Sequence, residues 1–227
     1  MTALARMLAD STALLLDFDG PVCSVFAGFP ASAVVEQLCV VIADGGFGDL
    51  PPEIEKSDDP FDVLNYAATL GETEAHYVNA AFAAHEAEAI TTAAPTPGAH
   101  DFMRRWSATS RPLAIVSNNS SLAVEAYLDL HSLGPYVAHV SGRCETDPDL
   151  LKPSPYLLNN ALTALGAAPN ESIMVGDSVT DMVAAQAAGT QAVGYANKPG
   201  KATRLTEARA GYIITQMTEL TEALSSR

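Results

Sequence analysis

Residues 12–21 read TALLLDFDGP, and this run decides the fold. A short apolar stretch without polar alternation is the pattern of a strand buried on both faces, as in a parallel sheet. Asp17 and Asp19 follow at its end, and Gly20-Pro21 stops it. Residues i and i+2 of an extended chain point the same way, so the two carboxylates are expected to face one site.

Working outward, three further runs look alike: residues 112–117 (PLAIVS), 172–176 (SIMVG) and 191–195 (QAVGY). Each is brief, apolar and partly β-branched; residues 136–141 and 212–214 are weaker strand candidates. Helical spacing falls between them, over residues 100–108, 121–131, 155–165, 180–188 and 217–224. Strand then helix, repeated, predicts a doubly wound, mainly parallel α/β sheet with right-handed crossovers. Ligands of such sheets bind beyond the carboxyl ends of the strands.

One stretch breaks the alternation. Residues 24–94 carry no strand pattern but three helical ones, over 31–43, 60–69 and 72–90, punctuated by Pro51-Pro52 and Gly71. The segment ends in APTPG at 94–98, which reads as a stiff hinge. The expectation is an all-helical cap, residues 21–95, inserted into an α/β core made of residues 1–20 and 96–227. The cap holds twelve acids and one cation, Lys56, which makes it a poor clamp for a second phosphate. Most of those acids read as a solvated helical surface.

With 227 residues, 48% of them hydrophobic, the chain can bury a normal core. Its formal net charge of −15 argues against nucleic-acid or anionic-membrane surfaces, which need a basic footprint. Three scattered cysteines, Cys23, Cys39 and Cys144, form neither a disulfide framework nor a zinc site and fit a reducing cytoplasm. The N-terminal residues resemble neither a signal peptide nor a membrane span.

Four short segments carry chemistry. Asp17 and Asp19 can serve as nucleophile and general acid/base toward a phosphate ester, or as a polar strand end. Asp177, in GDSxxD at 176–181, can bind a hard cation such as Mg²⁺; Asp177 or Ser178 would equally cap a helix. Asp181 falls one turn later on the same face. Ser117 and Asn118 at a strand end suit a phosphate oxygen or an ordinary turn. Lys152, in a loop stiffened by Pro148, Pro153 and Pro155, can offset charge during transfer or simply sit in solvent.

Taken together, the order DxDG, SN, KP, GDSxxD resembles the haloacid dehalogenase-like hydrolase superfamily, in particular its phosphoglycolate-phosphatase-like branch with a helical cap. Pro97-Gly98 and Ser141-Gly142-Arg143 add to the likeness, which covers the whole chain. The resemblance implies Asp17 as nucleophile and Asp19 as general acid/base. It implies Mg²⁺ held by Asp17, the Asp19 carbonyl and Asp177, with Asp181 supporting that shell. Ser117, Asn118 and Lys152 would hold the phosphoryl group. The implied substrate is a small phosphorylated metabolite, and the chain would act as a monomer or homodimer.

The chain departs from the usual DFDGTL-x-D-S pattern by reading DFDGPVCS. Pro21 removes a backbone N–H, which puts the loop geometry near Asp19 in question, and Cys23 stands where an acid is frequent. A sugar phosphomutase shares all four motifs but needs a second phosphate clamp. A dehalogenase needs no acid at position 19. A phosphonate hydrolase needs a cap lysine of lowered pKa, and Lys56 lies among acids. A binding protein on a degenerate scaffold usually lacks one of the four aspartates, and all four are present. None of the five histidines has ligand spacing, and Trp106 reads as helix packing.

Overall fold

The computed structural model describes residues 2–47 and 50–226. Asp49, one of the cap acids, lies outside the described residues. The main sheet has six strands: β1 Ala13–Leu16, β4 Leu113–Ser120, β5 His139–Arg143, β6 Ser172–Gly176, β7 Gln191–Tyr195 and β8 Tyr212–Ile214. Their spatial order is β5-β4-β1-β6-β7-β8, and every pairing is parallel. Leu16 of β1 is in register with Ile115 on one side and Val175 on the other. The chain therefore builds outward from β1 through β4 to β5, then returns to β1's other edge with β6. That reversal makes a crevice at the carboxyl end of β1, where a doubly wound sheet binds its ligand.

Helices cover both faces. One face carries α1 Ala3–Asp10, α6 Ala99–Ser107, α7 Ser121–Leu130 and α11 Thr218–Ser225; the other carries α8 Tyr156–Leu165, α9 Val179–Ala188 and α10 Lys201–Glu207. All four residues of β1 are buried, as two covered faces require. The Trp106 indole is buried as expected and donates to the Pro112 carbonyl at 3.1 Å. Two helices packed on the main sheet escape the sequence reading. α1 is capped by Thr2, whose hydroxyl accepts from Ala5 N, and buries Leu4, Ala5 and Leu8. α10 buries only Leu205, too little to show as a stripe.

Between residues 25 and 93 the described chain is helical: α2 Ala31–Asp44, α3 Pro52–Glu55, α4 Pro60–Leu70 and α5 Glu72–Ala89. The expectation of no strand here needs a small correction at its ends. β2 Cys23–Ser24 pairs antiparallel with β3 Ala94–Pro95, so the first residues of the expected hinge are held in a ribbon. Thr96 extends that pinch: its N–H donates to the Val22 carbonyl at 3.0 Å and its hydroxyl to the Gly20 carbonyl at 2.5 Å. The apolar interior of the helical segment, including Val34, Leu38, Leu64 and Phe82, is continuous with Leu15 and Val116 beneath the sheet. No helix among the described residues is long and apolar enough to cross a membrane.

Candidate active site

β1 delivers Asp17, β4 carries Ser117, Asn118 and Asn119, and β6 ends at Gly176, handing Asp177 to the turn that opens α9. Lys152 enters from the loop between β5 and α8, where its peptide bond to Pro153 is cis. These residues, with Asp19, line one cavity of about 910 Å³; the lip is formed by Asp59, Phe61, Asn65 and Thr69 of α4 and its cap, and by Asp147 and Asp149.

Lys152 is the hub. Its ammonium donates to Asp17 Oδ1 at 2.7 Å, to Asp181 Oδ1 at 2.6 Å and to the Val116 carbonyl at 3.1 Å, which occupies all three N–H bonds. The solvated-lysine alternative is thereby excluded: Lys152 is only 6% exposed. Burial works to lower its pKa, but the Asp17 and Asp181 carboxylates outweigh burial and hold it up, so the ammonium stays charged. Asp17 is itself pushed well above the usual carboxylate range, by burial first and by Asp181 next, with Lys152 opposing both.

Asn118 fastens this lysine. Its Nδ2 donates to the Lys152 carbonyl at 3.1 Å, and its Oδ1 accepts from Lys152 N at 2.8 Å. One amide hydrogen of Asn118 is left for anything else. Ser117 Oγ donates to Asn119 Oδ1 at 3.1 Å and accepts from Asn119 N at 3.1 Å. Asn119 also lines the cavity. The sequence reading passed over it, although it stands beside the two residues singled out.

Asp181 is fully buried in a capping box: its Oδ2 accepts from Asp177 N (3.1 Å), Ser178 N (3.0 Å) and Ser178 Oγ (2.7 Å), while Ser178 Oγ accepts from Asp181 N. Gly176 is required beneath it, because a Cβ there would lie 2.5 Å from the Asp181 carboxyl. The capping alternative thus falls to Ser178, and Asp177 is left to face the cavity.

A carboxylate oxygen from each of Asp17, Asp177 and Asp181 lies within 4.8 Å of the other two. Clustered hard oxygens of this kind fit a divalent cation such as Mg²⁺. Among the described residues, however, both oxygens of Asp181 already receive donors, whereas Asp17 Oδ2 and Asp177 Oδ1 receive none. The open ligand atoms are therefore those of Asp17 and Asp177.

Asp177 Oδ2 is held by Lys201 Nζ and accepts from Asn197 Nδ2 at 3.3 Å. Burial raises the Asp177 pKa and Lys201 opposes that rise. Neither Asn197 nor Lys201 was read from the sequence. The signal was the NKPGK run at 197–201, directly beyond the carboxyl end of β7.

Asp19 opens onto the cavity, with Oδ1 accepting from Val25 N at 2.9 Å. Crowding by protein raises its pKa, the Val25 bond opposes this, and Asp177 adds to it. The Pro21 departure is absorbed by the turn: its donors are Gly20 N, Val22 N and Cys23 N, so residue 21 is not asked for an N–H. Cys23 is buried in the core with its thiol pushed up by burial, far from a reactive thiolate. Gly20, at φ 106°, brings its Cα against Asp177, and a Cβ would come within 2.5 Å of that carboxyl. Gly20→Ala is therefore expected to cost roughly 1–3 kcal/mol in a thermal or denaturant melt and to displace Asp177. A wild-type melt would refute the close approach. Among the described residues no histidine lines the cavity; His100 instead bonds the Tyr127 hydroxyl at 2.9 Å.

A sequence-family model for haloacid dehalogenase-like hydrolases matches residues 12–189, from β1 through the end of α9. The chain belongs to the haloacid dehalogenase-like hydrolase family. Among curated relatives, a phosphoglycolate phosphatase of Neisseria meningitidis is 34% identical over 116 residues, 50% of this chain and 48% of that protein. The pyrophosphatase PpaX of Bacillus mycoides is 32% identical over 113 residues, 50% of this chain and 52% of that protein. The chain thus spans about half the length of the curated relatives it matches. Solved structures of family members match nearly end to end. A predicted phosphatase from Clostridium acetobutylicum aligns with TM-score 0.68 at 18% identity, covering 93% of this chain and 97% of that one. A haloacid dehalogenase family hydrolase from Deinococcus radiodurans, solved with bound phosphate and sodium, aligns with TM-score 0.61 at 25% identity over 96% of both chains.

Proposed function

We propose that the protein is a Mg²⁺-dependent phosphatase of small-molecule phosphate monoesters that works through an aspartyl-phosphate. The observation that carries this reading is the pairing of a buried Asp17, one oxygen free and one held by Lys152, with Asp19 on the same cavity wall. An Asp17 oxygen attacks phosphorus and the ester P–O bond breaks. Asp19, its pKa raised by the surrounding protein, gives a proton to the departing alkoxide. Asp19 then takes a proton from water, whose oxygen attacks the acyl phosphate and releases inorganic phosphate and the Asp17 carboxylate. Ser117 and Lys152 hold the phosphoryl oxygens, the Ser117 hydroxyl turning its hydrogen from Asn119 Oδ1 and Lys152 turning one N–H from its present acceptors, with Asn118 fixing the lysine loop and offering its remaining amide hydrogen. Asp17, the Asp19 carbonyl and Asp177 would hold Mg²⁺, and Asp181 keeps Lys152 and the Asp177 turn in place. The metal supplies charge neutralisation on the transferred group. The helical segment, residues 21–95, acts as a cap that lines the leaving-group side. Three free cysteines favour a cytoplasmic setting.

The lip selects against a second negative charge. Asp59, Asp147 and Asp149 stand there, and Lys152 is the sole cation among the described lining residues. This disfavours a phosphomutase and also phosphoglycolate or pyrophosphate as preferred substrates. The test is hydrolysis of an aryl phosphate, glycerol phosphate, phosphoethanolamine, phosphoglycolate and pyrophosphate, with Mg²⁺ or with EDTA. Turnover should require the metal, and kcat/KM for the neutral and aminoalkyl esters should exceed that for the two anionic ones by about tenfold or more. Metal-independent turnover would overturn the mechanism; preference for phosphoglycolate would overturn the selectivity alone.

A further inference from the structure

Behind the phosphoryl end of the cavity lies a buried ion pair that the proposed chemistry does not use. Glu86 of α5 is fully buried, the exception among the acids expected to be solvated. Its Oε2 accepts from Arg143 Nη2 at 2.6 Å and from Ser120 N at 2.9 Å; its Oε1 accepts from Asn119 Nδ2 at 3.0 Å. Arg143, at the end of β5, donates from Nε to the Asn118 carbonyl at 3.1 Å and from Nη1 to the Asn79 side chain. Its guanidinium lies 4.5 Å from the Phe82 ring centroid, and Phe82 packs edge-on against the cavity residue Phe61.

The direction of these bonds matters. An ionised carboxylate only accepts, so the Asn119 amide must turn its NH₂ to Glu86 and its oxygen to Ser117. The Asn119 backbone N–H therefore fixes where Ser117 Oγ sits, and the Asn119 oxygen holds the hydroxyl hydrogen until a phosphoryl oxygen takes its place as acceptor. We propose that Glu86, paired with Arg143, is a positioning residue: through Asn119 and Ser120 it sets Ser117 for the phosphoryl group, so that seating of α5 and phosphate binding are coupled. This rests on the phosphatase reading. A buried ion pair is weak support for stability in itself, but here both partners also bond the end of β4 that carries Ser117 and Asn118.

The decisive variant is Glu86→Gln. A glutamine can keep Arg143 and Ser120 on its oxygen only by turning its NH₂ to Asn119, whose amide must then flip and present NH₂ in place of its oxygen to Ser117, reversing the bond that orients the hydroxyl. Expected are a rise of about tenfold in both KM for an aryl phosphate and Ki for inorganic phosphate, with kcat within about threefold of wild type, since Ser117 grips ground and transition states alike. Asn79→Ala loosens the Arg143 contact without touching Asn119 and should leave the phosphate Ki within about twofold. Should Glu86→Gln fail to fold, Glu86→Leu with Arg143→Met removes both charges together, which buried pairs tolerate; the phosphate Ki should still rise, because Asn119 has lost its acceptor. A wild-type Ki in either folded variant overturns the proposal. Amide hydrogen exchange over residues 117–121 gives a reading independent of catalysis: faster in Glu86→Gln and unchanged in Asn79→Ala is expected, and equal exchange in all three proteins refutes the positioning. If the wild type hydrolyses no ester, the phosphatase reading fails, while the exchange data still decide the positioning.

Discussion

Asp17→Asn is expected to lose at least about 10³-fold in kcat on an aryl phosphate while melting no lower than the wild type. An amide oxygen is too poor a nucleophile to form the acyl phosphate, so the two-step route closes. The fold should not suffer. Asn has the same shape, its oxygen can still accept from Lys152, and Lys152 keeps Asp181 as its counter-ion. The native site holds Asp17 under strain of charge: burial and the Asp181 carboxylate both disfavour its ionised form, with Lys152 opposing. Removing that charge relieves the strain, as expected where function, not stability, selects a residue. Circular-dichroism melts and steady-state kinetics on the same preparation check both halves. Wild-type turnover would refute Asp17 as nucleophile, and a melt lowered by several degrees would refute the account of its charge.

How far the sequence carries depends on how local each feature is. Residues 172–176, 191–195 and 212–214 read as strands and coincide with β6, β7 and β8, because buried parallel strands are short apolar runs with sharp polar ends. The run at 136–141 is read too early: residues Gly134–Tyr136 form a 3-10 turn around Pro135, so β5 starts only at His139. Asp17, Ser117, Lys152 and Asp177 are legible as candidates because each follows a recognisable strand or loop. What a single segment cannot reveal is which lysine is buried between two carboxylates, since Asp17 lies 135 residues from Lys152. Glu86 shows the same limit with one missed clue. The buried positions of α5 are Ala75, Val78, Phe82, Glu86 and Ala89, a helical stripe in which the acid stands among apolar residues. An acid on the apolar face of a helix calls for a buried partner, and Arg143 answers it from 57 residues away.

Lys152→Met should be the most damaging single change to site and fold together. Methionine matches the length of the stem but leaves Asp17 and Asp181, both buried, without the ammonium that joins them. Breaking a buried pair from one side costs about 3–5 kcal/mol, and loss of a charge poised at the transferred phosphoryl group is worth roughly 10²–10³-fold in kcat. The variant also carries a pH signature with a definite sign. Burial and Asp181 already raise the Asp17 pKa above that of an ordinary carboxylate, and Lys152 is the chief influence holding it down. Without Lys152 the folded value climbs further, while the unfolded value stays near that of a free aspartate. A carboxyl with the higher pKa in the folded state binds more protons there, so stability is present at low pH and falls as pH rises from about 4 through the folded pKa. Lys152→Met should therefore lose stability relative to wild type between about pH 5 and 7, with the deficit smallest at the acid end. Urea melts of both proteins at pH 5, 6 and 7 measure this. A deficit independent of pH would mean that Lys152 supports the fold by packing and not by neutralising Asp17 and Asp181.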